Sequence, residues 1–98
     1  MKRFELARRA LLDLQSIWDY IADDSVAAAD RVIADLHQAF RQLAQMPASV
    51  MSAAISRFGG VLFWPVHSYL IIYTDATPIS IVRVLHASRD VRKLLTNR

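Results

Sequence analysis

Apolar residues in the first half of the chain recur at spacings of three and four. Ala7, Ala10, Leu11, Leu14, Ile17, Trp18 and Ile21 fall on one helical face, with Arg9, Asp13, Ser16 and Asp19 mostly elsewhere. Asp23-Asp24-Ser25 breaks that pattern and offers an N-cap for a second helix. There Ala29, Val32, Ile33, Leu36, Phe40 and Leu43 form the stripe. Pro47 cannot continue the helix and disfavours helical geometry at Met46. Two helices joined by about three residues make an antiparallel hairpin. Phe4-Glu5-Leu6, ahead of them, reads as a very short strand.

The second half changes period. Val61 to Val66, Tyr69 to Thr74 and Ile79 to His86 are β-branched and aromatic runs, and the polar Thr74-Asp75-Ala76-Thr77-Pro78 loop joins the last two as a hairpin. Pro65 suggests an edge position or a bulge. The Tyr69-to-Tyr73 run is apolar on both faces, which predicts cover on both sides, or on one side by a partner. Ala48 to Ile55 shows no clear period, and Arg57-Phe58-Gly59-Gly60 reads as a loop. Ser88 offers a cap for a last short helix from Arg89 to Thr96, with Val91, Leu94 and Leu95 turned inward. The order β-α-α-β-β-β-α predicts an α+β fold. An N-terminal strand and helical hairpin pack on a small antiparallel sheet, and a short C-terminal helix follows.

At 98 residues the chain is read as one domain over 1–98, with one modest core. Hydrophobic residues make up 54%, above the ~45–50% usual for globular domains. Part of that apolar surface is expected to stay exposed unless a partner covers it. The net charge of +3 is too small to argue for nucleic acid by itself. Its distribution says more: six Asp and one Arg lie between Asp13 and Asp35, and six basic but two acidic residues from Arg57 onward. An anionic partner is drawn to the second half. There is no cysteine, so neither a disulfide framework nor a thiolate site. Glu5, Arg8 and Arg9 interrupt what would be a signal h-region after Met1-Lys2-Arg3, and no run approaches the ~20 residues of a membrane span. The expectation is a soluble cytoplasmic protein.

Metal is not expected, because His37, His67 and His86 lie far apart without ligand spacing. Gly59-Gly60 is not followed by a phosphate-loop Gly-Lys-Ser/Thr, and the adjacent His67-Ser68 is no nucleophile signature. Arg83 sits in a row reading Ile79, Ile81, Arg83, Leu85. It either pairs with Asp90 or snorkels, or it contacts a phosphate or an acidic protein surface. His86, beside Val84 and Val82 on the other face, is either a hydrogen-bonded structural residue or a proton-transfer group. Arg89, Arg92, Lys93 and Arg98 form a basic tail, in which Arg92 and Lys93 also suit a helix C-terminus. Trp18 and Phe40 read as core, and Trp64 as core or interface.

The block Phe63-Trp64-Pro65-Val66, Tyr69-Leu70-Ile71-Ile72-Tyr73 and Ile81-Val82-Arg83-Val84-Leu85-His86-Ala87-Ser88-Arg89-Asp90 resembles the ParE/RelE toxin superfamily. Its ParE branch commonly carries such a hairpin followed by Arg-Val-Leu-His-Gly-(Ala/Ser)-Arg-Asp. The likeness extends back through Asp13-Leu14, Ile17-Trp18-Asp19-Tyr20-Ile21-Ala22, Ser25, Ala28-Ala29-Asp30-Arg31, Ile33, Ala39-Phe40, Leu43-Ala44 and Pro47. It implies the bacterial, cytoplasmic toxin half of a type II toxin–antitoxin pair. Such a toxin is held in a heteromeric complex by a small ParD-like antitoxin and is tied to growth regulation and plasmid stabilisation. ParE-branch toxins are associated with inhibition of DNA gyrase, without a cofactor, a membrane or specific DNA binding by the toxin alone.

On that reading Arg83, His86, Ser88, Arg89, Arg92 and Lys93 meet the target, while Trp18, Ile21, Phe40 and Trp64 meet the antitoxin. The RelE branch implies instead an mRNA endoribonuclease, whose candidates here are Arg57, His67, Arg83 and His86. A third reading is a non-toxic antitoxin-binding module. Ala48-Ser49, Leu62, Ala87 and Ala7-Arg8 stand where relatives often have Gly-Arg, Arg, Gly and a Ser/Thr-Pro cap.

Overall fold

A computed structural model describes residues 3–46, 57–58, 61–74, 76 and 78–90. Strand β1 (Phe4–Leu6) leads through Ala7 into helix α1 (Arg8–Ala22). No side chain caps α1. Instead the extended Ala7 donates its N–H to the Ile81 carbonyl at 2.9 Å, so the helix start is fastened to the sheet. After Asp23 and Asp24, Ser25 is extended and its Oγ accepts the Ala28 N–H at 3.1 Å, the N-cap of helix α2 (Val26–Gln45). Met46 leaves the helix with ψ 137°, the geometry that a following proline favours.

Four more strands follow: β2 (Arg57–Phe58), β3 (Val61–Val66), β4 (Tyr69–Thr74) and β5 (Ile79–His86). The α+β class and the predicted element order are present through β5. Two details differ. The expected loop at Arg57-Phe58 is a short strand paired with Leu62 and Val61. The sheet, of order β1-β5-β4-β3-β2, is mixed rather than antiparallel, because β1 runs parallel to β5. A strand separated from its neighbour by two helices and three strands can arrive in either sense, and local pattern carries no information on which. Of the predicted C-terminal helix, Arg89 and Asp90 are helical; the rest lies outside the described residues.

The stripes and the alternating strand positions meet in one core. Ala10, Leu14 and Ile17 of α1 and Leu36, Ala39, Phe40 and Leu43 of α2 pack on Leu62, Tyr69, Ile71, Tyr73, Ile79, Ile81 and Val84. Both helices therefore lie on one face of the sheet. Leu70 and Ile72 point to the opposite face and are half-buried, and no described element covers them. Leu11, Leu12, Tyr20 and Val26 are the large apolar side chains exposed on the helices.

One irregularity overturns the expected facing of β5. Ile72 pairs with Arg83 but Tyr73 pairs with Ile81, so Val82 is an extra residue, a bulge. Parity changes there: Val84 joins Ile79 and Ile81 in the core, and Leu85 pairs with Leu70 on the far side. Arg83 is accordingly not one of an unbroken row with Ile79, Ile81 and Leu85.

Candidate functional site

One end of the sheet gathers most of the polar chemistry. Val66 and Tyr69 are joined by the two-residue loop His67-Ser68, and Tyr69 pairs across to His86. The ladder runs on past the strand end, where the Ala87 N–H donates to the Ser68 carbonyl at 2.8 Å. His67 has φ 55°, a left-handed conformation in which a side chain is disfavoured and histidine is among the tolerated types. Its Nε2 lies 2.7 Å from Asp35 Oδ2, which ties the turn to α2.

Beyond β5 the chain caps itself. The Arg89 N–H donates to His86 Nδ1 at 3.1 Å, and the His86 N–H donates to Asp90 Oδ2 at 2.9 Å. This reciprocal pair works as a capping box does, with imidazole in place of the usual hydroxyl. Because a backbone N–H donates to it, Nδ1 is unprotonated, and in neutral imidazole the ring proton sits on Nε2. The Ser88 Oγ lies 3.3 Å from the same Nδ1. The cap expected from Ser88 would reach to Val91, which lies outside the described residues.

Aromatic contacts complete this end. His86 meets Tyr69 edge-on, with ring centroids 5.4 Å apart. The Arg89 guanidinium stacks over the Tyr20 ring, 4.8 Å from its centroid, with Nε 3.8 Å from Asp90 Oδ1. The Tyr69 hydroxyl is pushed above its usual pKa, first by burial; Arg89 opposes this, while Tyr20 and Asp90 add to it.

Arg83 has a different partner from the one expected. Its Nε and Nη2 donate to Asp13 Oδ2 and Oδ1 at 2.7 and 3.0 Å, a two-point fork, and Asp90 is engaged with the His86 N–H instead. Asp13 Oδ2 also accepts the Val84 N–H at 2.9 Å. Strand β1 pairs with β5 only as far as Ile81, so the Asp13 carboxylate stands where a longer β1 would have offered a carbonyl. The hydrogen bond that Arg83 donates to Asp13 holds the Arg83 pKa above its ordinary value, against a smaller lowering by burial.

The remaining candidates are scattered. The Arg57 backbone is opposite Leu62, itself opposite Tyr73, four residues along β4 from Tyr69 and therefore about 13 Å from the His86 end. His67 is held on Asp35 and Arg83 on Asp13, so these two side chains of the ribonuclease reading are engaged by separate partners. Arg92 and Lys93 lie outside the described residues. Trp18 is half-buried and donates Nε1–H to Asp30 Oδ1 at 2.8 Å, bridging the helices. Ile21 and Trp64 are partly buried against the core. Phe40 is fully buried between Phe4 and His37, so it presents no contact surface.

Asp13, Tyr20 and Asp35 were not singled out by sequence pattern. A signal existed for two of them: Asp13 and Tyr20 are seven residues apart and so share one helix flank. Among the described residues no group of His, Cys, Asp and Glu is arranged to hold a metal ion, and no helix is long and apolar enough to cross a membrane.

This arrangement belongs to a known class. Residues 4–91 match the family described as "ParE toxin of type II toxin-antitoxin system, parDE". The chain belongs to the ParE toxin family. Among solved structures it is similar to the "Chromosomal ParDE TA system from P. aeruginosa", with a TM-score of 0.72 and 20% identity over 90% of this chain and 98% of that one. At that identity the likeness concerns the fold. Among curated proteins no match is found.

Proposed function

We propose that this toxin acts by binding rather than by chemistry. It inhibits DNA gyrase in the cytoplasm, and a ParD-like antitoxin neutralises it in a heteromeric complex. Membership of the ParE family and the likeness to a ParDE system support the toxin–antitoxin reading. The observation that carries the mode of action is how the candidate proton-transfer groups are engaged. Arg83 is forked onto Asp13, His67 is paired with Asp35, and His86 Nδ1 is occupied by a backbone N–H. Phosphodiester cleavage needs acid, base and cation converging on one phosphate. An inhibitor needs only a shaped, partly apolar surface, and the exposed Tyr20 and Arg89 beside His86 and Ser88 supply one. The exposed Leu11 and Leu12, and the Leu70 and Ile72 face that no described element covers, suit a chain that a partner normally wraps.

The test uses toxin released from its antitoxin complex. Supercoiling by purified gyrase is expected to stop, to resume when antitoxin is added back, and ribosome-bound mRNA is expected to stay intact. Codon-periodic cuts in mRNA with normal supercoiling would replace this reading with the ribonuclease one.

A further inference from the structure

The Tyr20–Arg89 stack has a geometry that neither capping nor core packing requires. Tyr20 is 66% exposed at the C-terminal end of α1, and the Arg89 guanidinium carbon lies over its ring, 4.8 Å from the centroid. Stacking fixes the plane of the guanidinium and leaves its rim donors in that plane. Among the described residues the acceptor near that rim is Asp90, whose Oδ1 is 3.8 Å from Nε and whose Oδ2 takes the His86 N–H, and the two Nη groups have none. Arg83, the other arginine of β5 and its extension, has its fork filled by Asp13. One fork at this end is therefore occupied, and among the described residues the other is open.

We infer that the stacked Tyr20–Arg89 pair is a recognition anchor for a carboxylate on the protein target, taken two-pronged by the Arg89 Nη groups beside the Tyr20 ring. The inference rests on the proposed target-binding role of this end of the sheet. A carboxylate is favoured over nucleic-acid phosphate for two reasons. Backbone phosphates are bound by arrays of cations, and among the described residues of this end Arg89 has the Asp90 carboxylate beside it while Arg83 has its charge paired with Asp13. An exposed tyrosine paired with an arginine is also the composition of protein–protein hot spots. The stack further explains why Tyr20, a large apolar ring, stays uncovered on an otherwise polar flank of α1.

The experiment reads growth arrest on regulated expression for wild type, Tyr20→Phe, Tyr20→Leu, Arg89→Lys and Arg89→Gln, and gyrase supercoiling for the same proteins. Antitoxin affinity and thermal midpoint, both unchanged, report that each variant folds. Tyr20→Phe should stay within about threefold of wild type, since the ring face remains. Arg89→Gln and Arg89→Lys should each weaken potency roughly 10- to 100-fold, because lysine keeps charge but loses fork and stack. Tyr20→Leu should fall between. Folded Tyr20→Leu and Arg89→Lys at wild-type potency would overturn the inference and leave the gyrase reading standing. Arrest that depends on Tyr20 and Arg89 without loss of supercoiling would uphold the anchor and remove gyrase as its partner. Arg89-dependent mRNA cleavage would assign the fork to phosphate and overturn the carboxylate. A wild type that arrests nothing would overturn both readings.

Discussion

Asp13 on α1 and Arg83 on β5, 70 positions apart, are joined by a two-point fork, and the same carboxylate takes the Val84 N–H. One side chain thus neutralises a half-buried cation and satisfies a strand amide that β1 is too short to reach. Removing one partner of such a pair strands the other, and the cost exceeds the net worth of the pair. Asp13→Ala is expected to lower unfolding free energy by about 2–4 kcal/mol, the lower end reflecting partial exposure. Asp13→Asn should cost less, since it keeps an acceptor for the amide. Arg83→Met in the Asp13→Ala background should restore part of the loss. Urea denaturation of these proteins and of Arg83→Met alone measures this; additive losses in the double variant would refute the coupling.

His86→Gln separates capping from proton transfer. A glutamine carbonyl can accept the Arg89 N–H, whereas it cannot act as acid or base near neutral pH. Growth arrest by His86→Gln should remain close to wild type, and His86→Leu, which leaves that N–H uncapped, should lose about 1 kcal/mol of stability. A catalytic histidine would instead make His86→Gln roughly 10²–10⁴-fold weaker.

Ser25 caps α2 with a single hydroxyl contact. Ser25→Ala should cost about 1 kcal/mol and Ser25→Asp almost nothing, as read from thermal midpoints. Equal midpoints for Ser25→Ala and wild type would mean that water replaces the cap.

His37 gives the fold an acid-sensitive element. Its pKa lies below the ordinary 6.5, first because burial disfavours the imidazolium and then because Arg41 repels it. The unfolded chain therefore binds this proton more readily than the folded one. Stability is complete above pH 6.5 and falls as the pH drops from there through the folded value. In His37→Gln that part of the acid loss should vanish; identical pH–stability curves would exclude His37 as its source.

The helices were legible because their information is local: three-and-four spacing, a serine before the second stripe and a proline after it. The strands were legible for the same reason. Val82 hid the bulge, since an apolar residue fits either face of a strand and an unbroken alternation reads equally well through it. The partner of Arg83 was hidden differently. Asp90 is near in sequence, Asp13 is near in space, and only the parallel docking of β1 on β5 brings α1 alongside. At the candidate site His86, Ser88 and Arg89 were found from the segment that ends β5. Tyr20 was not, because a tyrosine at the end of an amphipathic helix looks like ordinary surface until the chain beyond β5 returns to it.

The pairing of Phe4 with Ile79 has a consequence for synthesis. Contacts between residues so far apart close late, since the intervening chain must first be ordered. On the ribosome β1 has no partner until the last strand has emerged, and the Asp13 carboxylate has neither Arg83 nor the Val84 amide to hold. The helical hairpin and the β3–β4 hairpin are complete long before that. The Tyr20–Arg89 surface is assembled last of all, from a ring made early and a guanidinium made almost at the end. A nascent chain consequently presents apolar helix and strand faces before it presents the finished Tyr20–Arg89 surface. A partner that engages those early faces meets the chain before the sheet is closed.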